Sequence, residues 1–381
     1  MNTRGPRRVA VVTGTRAEYG LLHTVMSAIR RHPRLELQVV ATGMHLLETF
    51  GHTVDDIVAD GWTVDARVRM QFGKDEPLDQ SLGLARGIVG LARFFHERST
   101  QIVVVLGDRI EAMAAALAAT TTGRILAHLH GGDVAPGDFD EGLRHAITKL
   151  AHLHFAATAQ AARRIVRLGE RRDLVHNVGA PGLDHLLETL RDPAQRQPLD
   201  PPSALVVQHP SGRPAERERR TMRAILRAVE DAGLKPIVIY PNTDRGHAGI
   251  LTAIEAARKR PRNRSLRIER SVPRDEYLRL LAGARVLVGN SSSGIIEAAS
   301  AGTPAVNVGD RQAGRQRSGR SVVDCGETFE AIRTAIAAAL RRRPRFAGRT
   351  CYGDGHAGAR VADLLARTPI DDELRRKRIT Y

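Results

Sequence analysis

The chain has 381 residues, 42% of them hydrophobic, a length that suits two globular domains better than one core. No apolar run approaches the roughly 18–20 residues of a membrane span. The run that follows the basic start Met1–Arg8 stops at Gly14, too short for a secretory leader, so a cytoplasmic protein without a membrane partner is expected. The formal charge is +16, but 53 of the 58 basic residues are arginines scattered over helix faces and aromatics make up only 4%, which excludes a dedicated nucleic-acid partner while favouring an anionic small substrate.

Strand and helix patterns alternate from end to end. Val9–Thr13 reads as a strand and Tyr19–Arg31 as a helix, with Leu35–Ala41 the next strand. Between the first two lies Thr13-Gly14-Thr15-Arg16-Ala17-Glu18-Tyr19-Gly20, which offers a glycine for close approach and Arg16 for an anion. It is neither a dinucleotide fingerprint nor a P-loop, and an ordinary strand-to-helix turn would look the same. A long helix pattern spans Asp79–Glu97, and the apolar run Ile102–Leu106 is a buried strand. It ends in Gly107-Asp108-Arg109, where a carboxylate beside a guanidinium suits a polar site, although Asp108 could simply cap the helix Glu111–Thr121.

Strand Ile125–Leu129 runs into the densest cluster. From His128 to His145 there are four carboxylates, three histidines and an arginine, among them His130, Asp133, Asp140, Arg144 and His145. Such crowding displaces pKa values, as acid–base chemistry requires. The spacing His128-x-His130 would put two imidazoles on one strand face, as some metal sites do; no metal and no cofactor are nonetheless expected. Cys325 and Cys351, the two cysteines, provide neither a disulfide framework nor a metal quartet. Helix Glu141–Leu150 and strand Leu153–Thr158 close the first half.

The second half repeats this grammar. Strands are expected at Ala204–Gln208, Pro236–Tyr240, Arg267–Glu269, Val286–Val288 and Ala305–Val308, with helices such as Glu216–Asp231 and Phe329–Leu340 between them. His209 ends the first of these strands. Asn290-Ser291-Ser292-Ser293-Gly294 follows the fourth and opens a helix ending near Gly302, where backbone N–H groups and the helix dipole would hold a phosphate. A serine-capped helix would read the same way. Glu297, one turn in, suits a ribose hydroxyl pair. Arg311 and Arg315 follow the fifth strand on a glycine-bearing loop fit to grip a diphosphate, though a solvated basic loop is the plainer alternative. The expected architecture is α/β: two doubly wound Rossmann-like domains, 1–180 and 181–381, facing a central cleft, the C-terminal segment Ala359–Leu365 returning to the first and Asp371–Tyr381 disordered.

On Gly14–Gly20, Gly107–Arg109, His128–Lys149, Val178–Asp184, His209–Pro210, Tyr240–Asn242 and Asn290–Arg315, in that order over nearly the whole length, the chain resembles the hydrolysing UDP-N-acetylglucosamine 2-epimerases and their relatives acting on diacetamido sugars. Arg16-Ala17-Glu18, where non-hydrolysing relatives typically carry Arg-Pro-Glu, and Ser291–Gly294, where they carry Asp-Ser-Gly-Gly, favour the hydrolysing branch. The resemblance implies a GT-B type fold and a UDP-sugar substrate. It also implies anti elimination of UDP to a 2-acetamidoglucal, then hydration to the free 2-epimer. It assigns acid–base roles to Asp108 and Asp140, with His209 third and Asp133 fourth. Asp133 is one methylene shorter than the glutamate of many relatives. Substrate contacts are implied for Arg16, Arg109, His130, Arg144, His145, Asn242, Ser291, Ser292, Ser293, Gly294, Glu297, Arg311 and Arg315. A homodimer or homotetramer through Ser81–Phe95 and Ala112–Leu117 is implied as well. A glycosyltransferase of the same architecture and a non-catalytic nucleotide-sugar-binding protein are the alternatives.

Overall fold

The structure, a computed structural model, describes residues 5–72, 77–134, 140–241, 246–259, 266–270, 272–342 and 348–380. It divides into two compact units, Met1–Asp133 with Phe139–Asp184 and His356–Tyr381, and Val134–Asp138 with His185–Gly355. Among the described residues no helix is long and apolar enough to cross a membrane.

The first unit holds seven parallel strands: β1 (Arg7–Thr13), β2 (Leu35–Thr42), β3 (Ala66–Val68), β4 (Ile102–Leu106), β5 (Ile125–Leu129), β6 (Leu153–Ala156) and β7 (Val175–Asn177). Their order is β3-β2-β1-β4-β5-β6-β7. Helices cover both faces, so β4, β5 and β1 from Val9 onward are buried on both sides, with His128 and Thr13 the buried polar residues among them. Ala112 and Ala114–Ala116 are buried, with their helix packed on the helix Pro77–Glu97 of the same chain, while Met113 and Leu117 stay half-buried.

The second unit holds six parallel strands: β8 (Ser203–Val207), β9 (Lys235–Ile239), β10 (Arg267–Glu269), β11 (Val286–Gly289), β12 (Ala305–Val308) and β13 (Val322–Cys325), in the order β10-β9-β8-β11-β12-β13. In both sheets chain order reverses once, between β1 and β4 and between β8 and β11. Ligands of open parallel sheets bind beyond the carboxyl ends of strands at such a switch point. Gly289 makes the second one possible. Its φ is +141°, and a Cβ there would sit 2.1 Å from the carbonyl oxygen of Val207.

Residues 371–380 pack on the first unit, contrary to the disorder expected of Asp371–Tyr381, whose last residue lies outside the described residues. The helix Ala357–Arg367 packs on the helix Arg16–Arg31, with Val361, Leu364 and Leu365 in the first unit's core. The Asp184 carboxylate accepts from the N–H groups of Ala357 and Gly358 at 2.9 and 2.7 Å. Beyond it, Lys377 Nζ reaches the carbonyls of Thr148 and Ala151 and the carboxylate of Glu170. Glu170 also binds Lys149 at 2.6 Å and His154 at 3.1 Å. Burial works to raise its pKa, but these three partners outweigh it and hold the carboxyl at about 2.

Buried imidazoles set the pH response of the fold. Burial lowers His45 to about 4, His128 to about 3 and His152 to about 4, so all three fold neutral. Unfolded, each titrates near 6.5, so the unfolded chain alone takes up these protons as pH falls from about 6.5 to 4, and stability drops with it. Glu18, raised by burial to about 8, works in the opposite sense. Its contribution is full below about 4.5 and lost as pH rises through 8. With His154, His176 and His209 lowered in the same sense, the histidines outnumber the raised carboxyls of Glu18 and Asp184 between pH 6.5 and 4.5. The urea unfolding midpoint is therefore expected to be lower at pH 4.5 than at 6.5, and an equal or higher one would contradict this.

Candidate active site

At the first switch point β1 and β4 part, and two loops meet. Gly14 N donates to Glu18 Oε2 at 2.7 Å. Arg109 turns to the buried Glu111, Nε to Oε2 3.2 Å, and Gln71 Nε2 donates to the same carboxylate at 3.3 Å. Gly14 and Gly43 lie directly over Glu111; a Cβ on Gly43 (φ +57°) would meet its Oε1 at 2.4 Å. Arg109 thus neutralises a carboxylate under the loops.

Asp108 pairs with Arg144 on the helix Asp140–Leu150. The Arg144 side chain is 2% exposed. It also donates to Glu141 Oε2 at 3.0 Å and to the carbonyl of Asp133 at 3.3 Å. His145 Nε2 lies 3.1 Å from Glu141 Oε1. One guanidinium therefore ties Asp108, the Asp133 backbone and Glu141–His145 together, and Asp140 stands beside Glu141 as the first residue of the helix. His130 Nδ1 is 3.7 Å from Asp133 Oδ2. Arg16 pairs with Asp56 at the surface, 3.4 Å.

The two-histidine strand face does not form. β5 stops at Leu129, and His130 has φ +62°, which turns it off the strand. His128 is buried, with Nε2 2.7 Å from the Gly107 carbonyl oxygen and Nδ1 3.1 Å from Thr148 Oγ1. It ties the turn carrying Asp108 to the helix carrying Arg144. Among the described residues no group of three or more His, Cys, Asp or Glu is placed to hold a metal.

The second switch point is joined by Asn290. Its Oδ1 accepts from His209 N at 2.7 Å, and its Nδ2 donates to His209 O at 2.8 Å and to Ser211 Oγ at 3.3 Å. Its carbonyl receives Gln312 Nε2 at 2.9 Å and Arg311 Nη1 at 3.4 Å. Burial first, then the charge of Arg311, lowers His209 to about 3, so this imidazole is neutral. Arg311 and Arg315 lie on the loop after β12, where Arg317 Nη1 binds the carbonyls of Gln312 and Arg315 at 2.9 and 2.8 Å.

The helix expected from Ser291 to Gly302 is two pieces of four residues, Ser293–Ile296 and Ala298–Ala301, broken at Glu297. Pieces this short carry little dipole, and Ser292 makes no capping bond with its side chain. The N–H groups of Ser293 and Gly294 turn back on Ser291 Oγ and O at 3.3 and 3.1 Å. The segment offers an anion its hydroxyls more than a row of N–H groups. Glu297 is buried and paired with Arg274, and Ser293 Oγ bonds the Tyr277 hydroxyl. Gly294 packs on Leu287, and a Cβ there would lie 3.1 Å from Leu287 Cδ2. Asn242 lies outside the described residues.

A family model described as UDP-N-acetylglucosamine 2-epimerase matches residues 27–366. The chain belongs to the UDP-N-acetylglucosamine 2-epimerase family. It is 35% identical over 381 residues (98% of this chain, 100% of the relative) to UDP-N,N'-diacetylbacillosamine 2-epimerase (hydrolyzing) of Legionella pneumophila. It is 32% identical to UDP-N-acetylglucosamine 2-epimerase of Neisseria meningitidis serogroup B, covering 86% of this chain and 87% of that one. Its fold is that of the crystal structure of UDP-GlcNAc 2-epimerase from Neisseria meningitidis bound to UDP-GlcNAc, with TM-score 0.77, 15% identity and coverage of 95% and 100%.

For this member of the family, the geometry adds residues that the sequence reading left out of the site. Glu141 was legible: it stands i,i+3 from Arg144 and i,i+4 from His145 on one helix face. Asn290 and Gln312 were not, because their roles lie in bonds across 81 and 22 residues of chain.

Proposed function

We propose that the chain is a hydrolysing 2-epimerase of a UDP-2-acetamido sugar, with the diphosphate gripped by the second unit and proton transfer carried out by the first. The observation that carries this reading is the content of the two switch points, one rich in carboxylates around Arg144 and the other in hydroxyls and arginines around Asn290. Arg311, Arg315 and the hydroxyls of Ser291, Ser292 and Ser293 stabilise the departing UDP, and Glu297 meets the ribose. Asp140 removes the C2 proton as the C1–O bond opens. Asp108, fixed by Arg144, serves the later addition of water. His209, neutral as folded, acts as a hydrogen-bonding partner and not as a resident cation. Asp133 positions His130.

Arg311→Ala is expected to weaken UDP binding about 10- to 100-fold, the scale of one or two lost charge-assisted hydrogen bonds. Calorimetric titration with UDP measures this, and an unchanged affinity removes Arg311 from the diphosphate site.

Proton NMR in deuterated water tests the function, with UDP-N-acetylglucosamine and UDP-N,N'-diacetylbacillosamine as substrates. UDP release together with a free 2-epimer carrying deuterium at C2 is the expected result. Release of unepimerised, unlabelled sugar would point to a transferase without its acceptor, and inertness toward both would overturn the reading.

We also place the protein in the cytoplasm, and as a homodimer or homotetramer. Leu78, Leu82 and Val89 form an exposed apolar stripe on the helix Pro77–Glu97, which supports a subunit contact there. Light scattering on Leu82→Glu tests it.

A further inference from the structure

The second unit contains a cavity of about 750 Å³ away from the switch point, at the amino end of β12 and not its carboxyl end. The volume is that of a small-ligand site. Four arginines line it, Arg317, Arg320, Arg342 and Arg349, along with the hydroxyls of Ser318 and Thr350, and there is no carboxylate among the described lining residues.

The arginines are of two kinds. Arg317 and Arg342 are built in. Arg317 pairs with Asp324 at 2.6 Å, and Arg342 Nη1 donates to the carbonyls of Arg320 and Val322. Arg320 and Arg349 are exposed, and among the described residues neither makes a side-chain hydrogen bond or ion pair. Asp324 offsets Arg317, and among the described residues no carboxylate pairs with Arg320, Arg342 or Arg349, so the wall keeps an excess of positive charge. Planar guanidinium groups converging with hydroxyls on a concave surface recognise phosphate oxygens.

Arg317 gives this cavity a connection. The guanidinium that forms part of its wall holds the carbonyls of Gln312 and Arg315, and Gln312 in turn holds Asn290. We propose that the cavity is a second anion site, that it takes a phosphorylated small molecule of about nucleotide size, and that it is coupled through Arg317 to the loop Gly309–Arg315. The coupling, though not the site itself, rests on the assignment of UDP to that loop. An anion that draws Arg317 toward the cavity competes with the two carbonyls, so occupancy loosens the loop and weakens UDP binding. The coupling is reciprocal.

Inorganic pyrophosphate is the probe, titrated calorimetrically into the full chain at low salt, where screening is weak. UDP-saturated enzyme is expected to bind one further pyrophosphate per chain. In Arg320→Ser/Arg349→Ser that affinity falls at least tenfold while UDP binding by the otherwise empty enzyme is unchanged. A control that removes the same charge elsewhere, Arg220→Ser/Arg223→Ser, keeps the site. Amide exchange over residues 309–317 of the UDP-saturated enzyme rises with pyrophosphate in the wild type and not in the cavity variant.

Absence of binding to the UDP-saturated enzyme would overturn the proposal. So would equal loss in the control, which marks diffuse attraction to an arginine-rich surface, or full retention in the cavity variant. Unchanged exchange with binding intact would overturn the coupling. Should UDP itself fail to bind, the assignment of the loop fails, but the loss of one pyrophosphate site between wild type and cavity variant still decides the cavity.

Discussion

Replacement of Arg144 by methionine is expected to cost this protein both stability and nearly all turnover. The guanidinium contacts Asp108, Glu141 and the Asp133 carbonyl together, and its side chain is 2% exposed. Methionine fills a similar volume but leaves two carboxylates facing each other across an apolar side chain. Removing one member of a buried ionic network typically costs about 3–5 kcal/mol. The Asp108 and Glu141 side chains are 23% and 32% exposed, so water relieves part of the penalty and the lower end of that range is expected. Turnover should fall more steeply than stability, at least 100-fold, because Asp108 loses the partner that fixes its orientation, and small misplacements of a reacting group are expensive. Arg144→Lys keeps the charge but not the fork and should fall between the two. Urea unfolding and steady-state UDP release measure both quantities. A methionine variant with wild-type stability and turnover would show that the network is incidental.

How much of this was legible in the sequence follows from where the determining interactions lie. Ile102–Leu106 was read to the residue because a strand buried on both faces is a continuous apolar run with sharp ends, and so were Ile125–Leu129 and Ala305–Val308, where only a single buried polar residue, His128 or Asn307, interrupts an otherwise apolar run. β3, β7 and β13 were missed: all three are short edge strands, and β13 exposes Asp324 between half-buried residues, although the fourth edge strand, β10, was expected at its observed bounds. The first helix begins at Arg16 and not Tyr19, since Thr15 accepts from Glu18 N, a local bond that apolar periodicity does not register. The charged tail Asp371–Tyr381 looks like a solvated end by composition. Up to residue 380 it is held by partners far back in the chain, among them Glu170, more than 200 residues earlier, and the core around Leu374.

The candidate site divides along the same line. Strand-end clusters were readable because switch-point geometry puts them there, and the Asp140–His145 helix was readable from its spacing. Pairings between clusters were not. Asp108 and Arg109 stand side by side in the sequence as one polar cluster, yet Arg109 turns to Glu111 and Asp108 takes Arg144. Such choices depend on which carboxylate is more deeply buried. Glu111 is 1% exposed and so needs the nearer cation more.

Asp140→Asn should separate chemistry from binding. Asparagine matches aspartate in shape and can still accept hydrogen bonds, so the first turn of the helix Asp140–Leu150 should survive. The loss of a negative charge at a helix start costs about 0.3–1 kcal/mol. A side chain that no longer takes up a proton cannot serve as the base at C2. Loss of a positioned general base typically costs about 100- to 10,000-fold, and here the weakly acidic C2 proton puts the expectation at the upper end. UDP affinity should change little, because the groups assigned to the diphosphate, Arg311, Arg315 and the serines after β11, belong to the second unit. The deciding comparison is kcat for UDP release against the calorimetric Kd for UDP. A fall in kcat with Kd intact is the signature of a group that acts only in the transition state. Normal kcat would move the base to Asp108 or Glu141, the carboxylates paired with Arg144. An equal loss of UDP affinity would make Asp140 a ground-state contact, and the elimination would then have to be rebuilt around another residue.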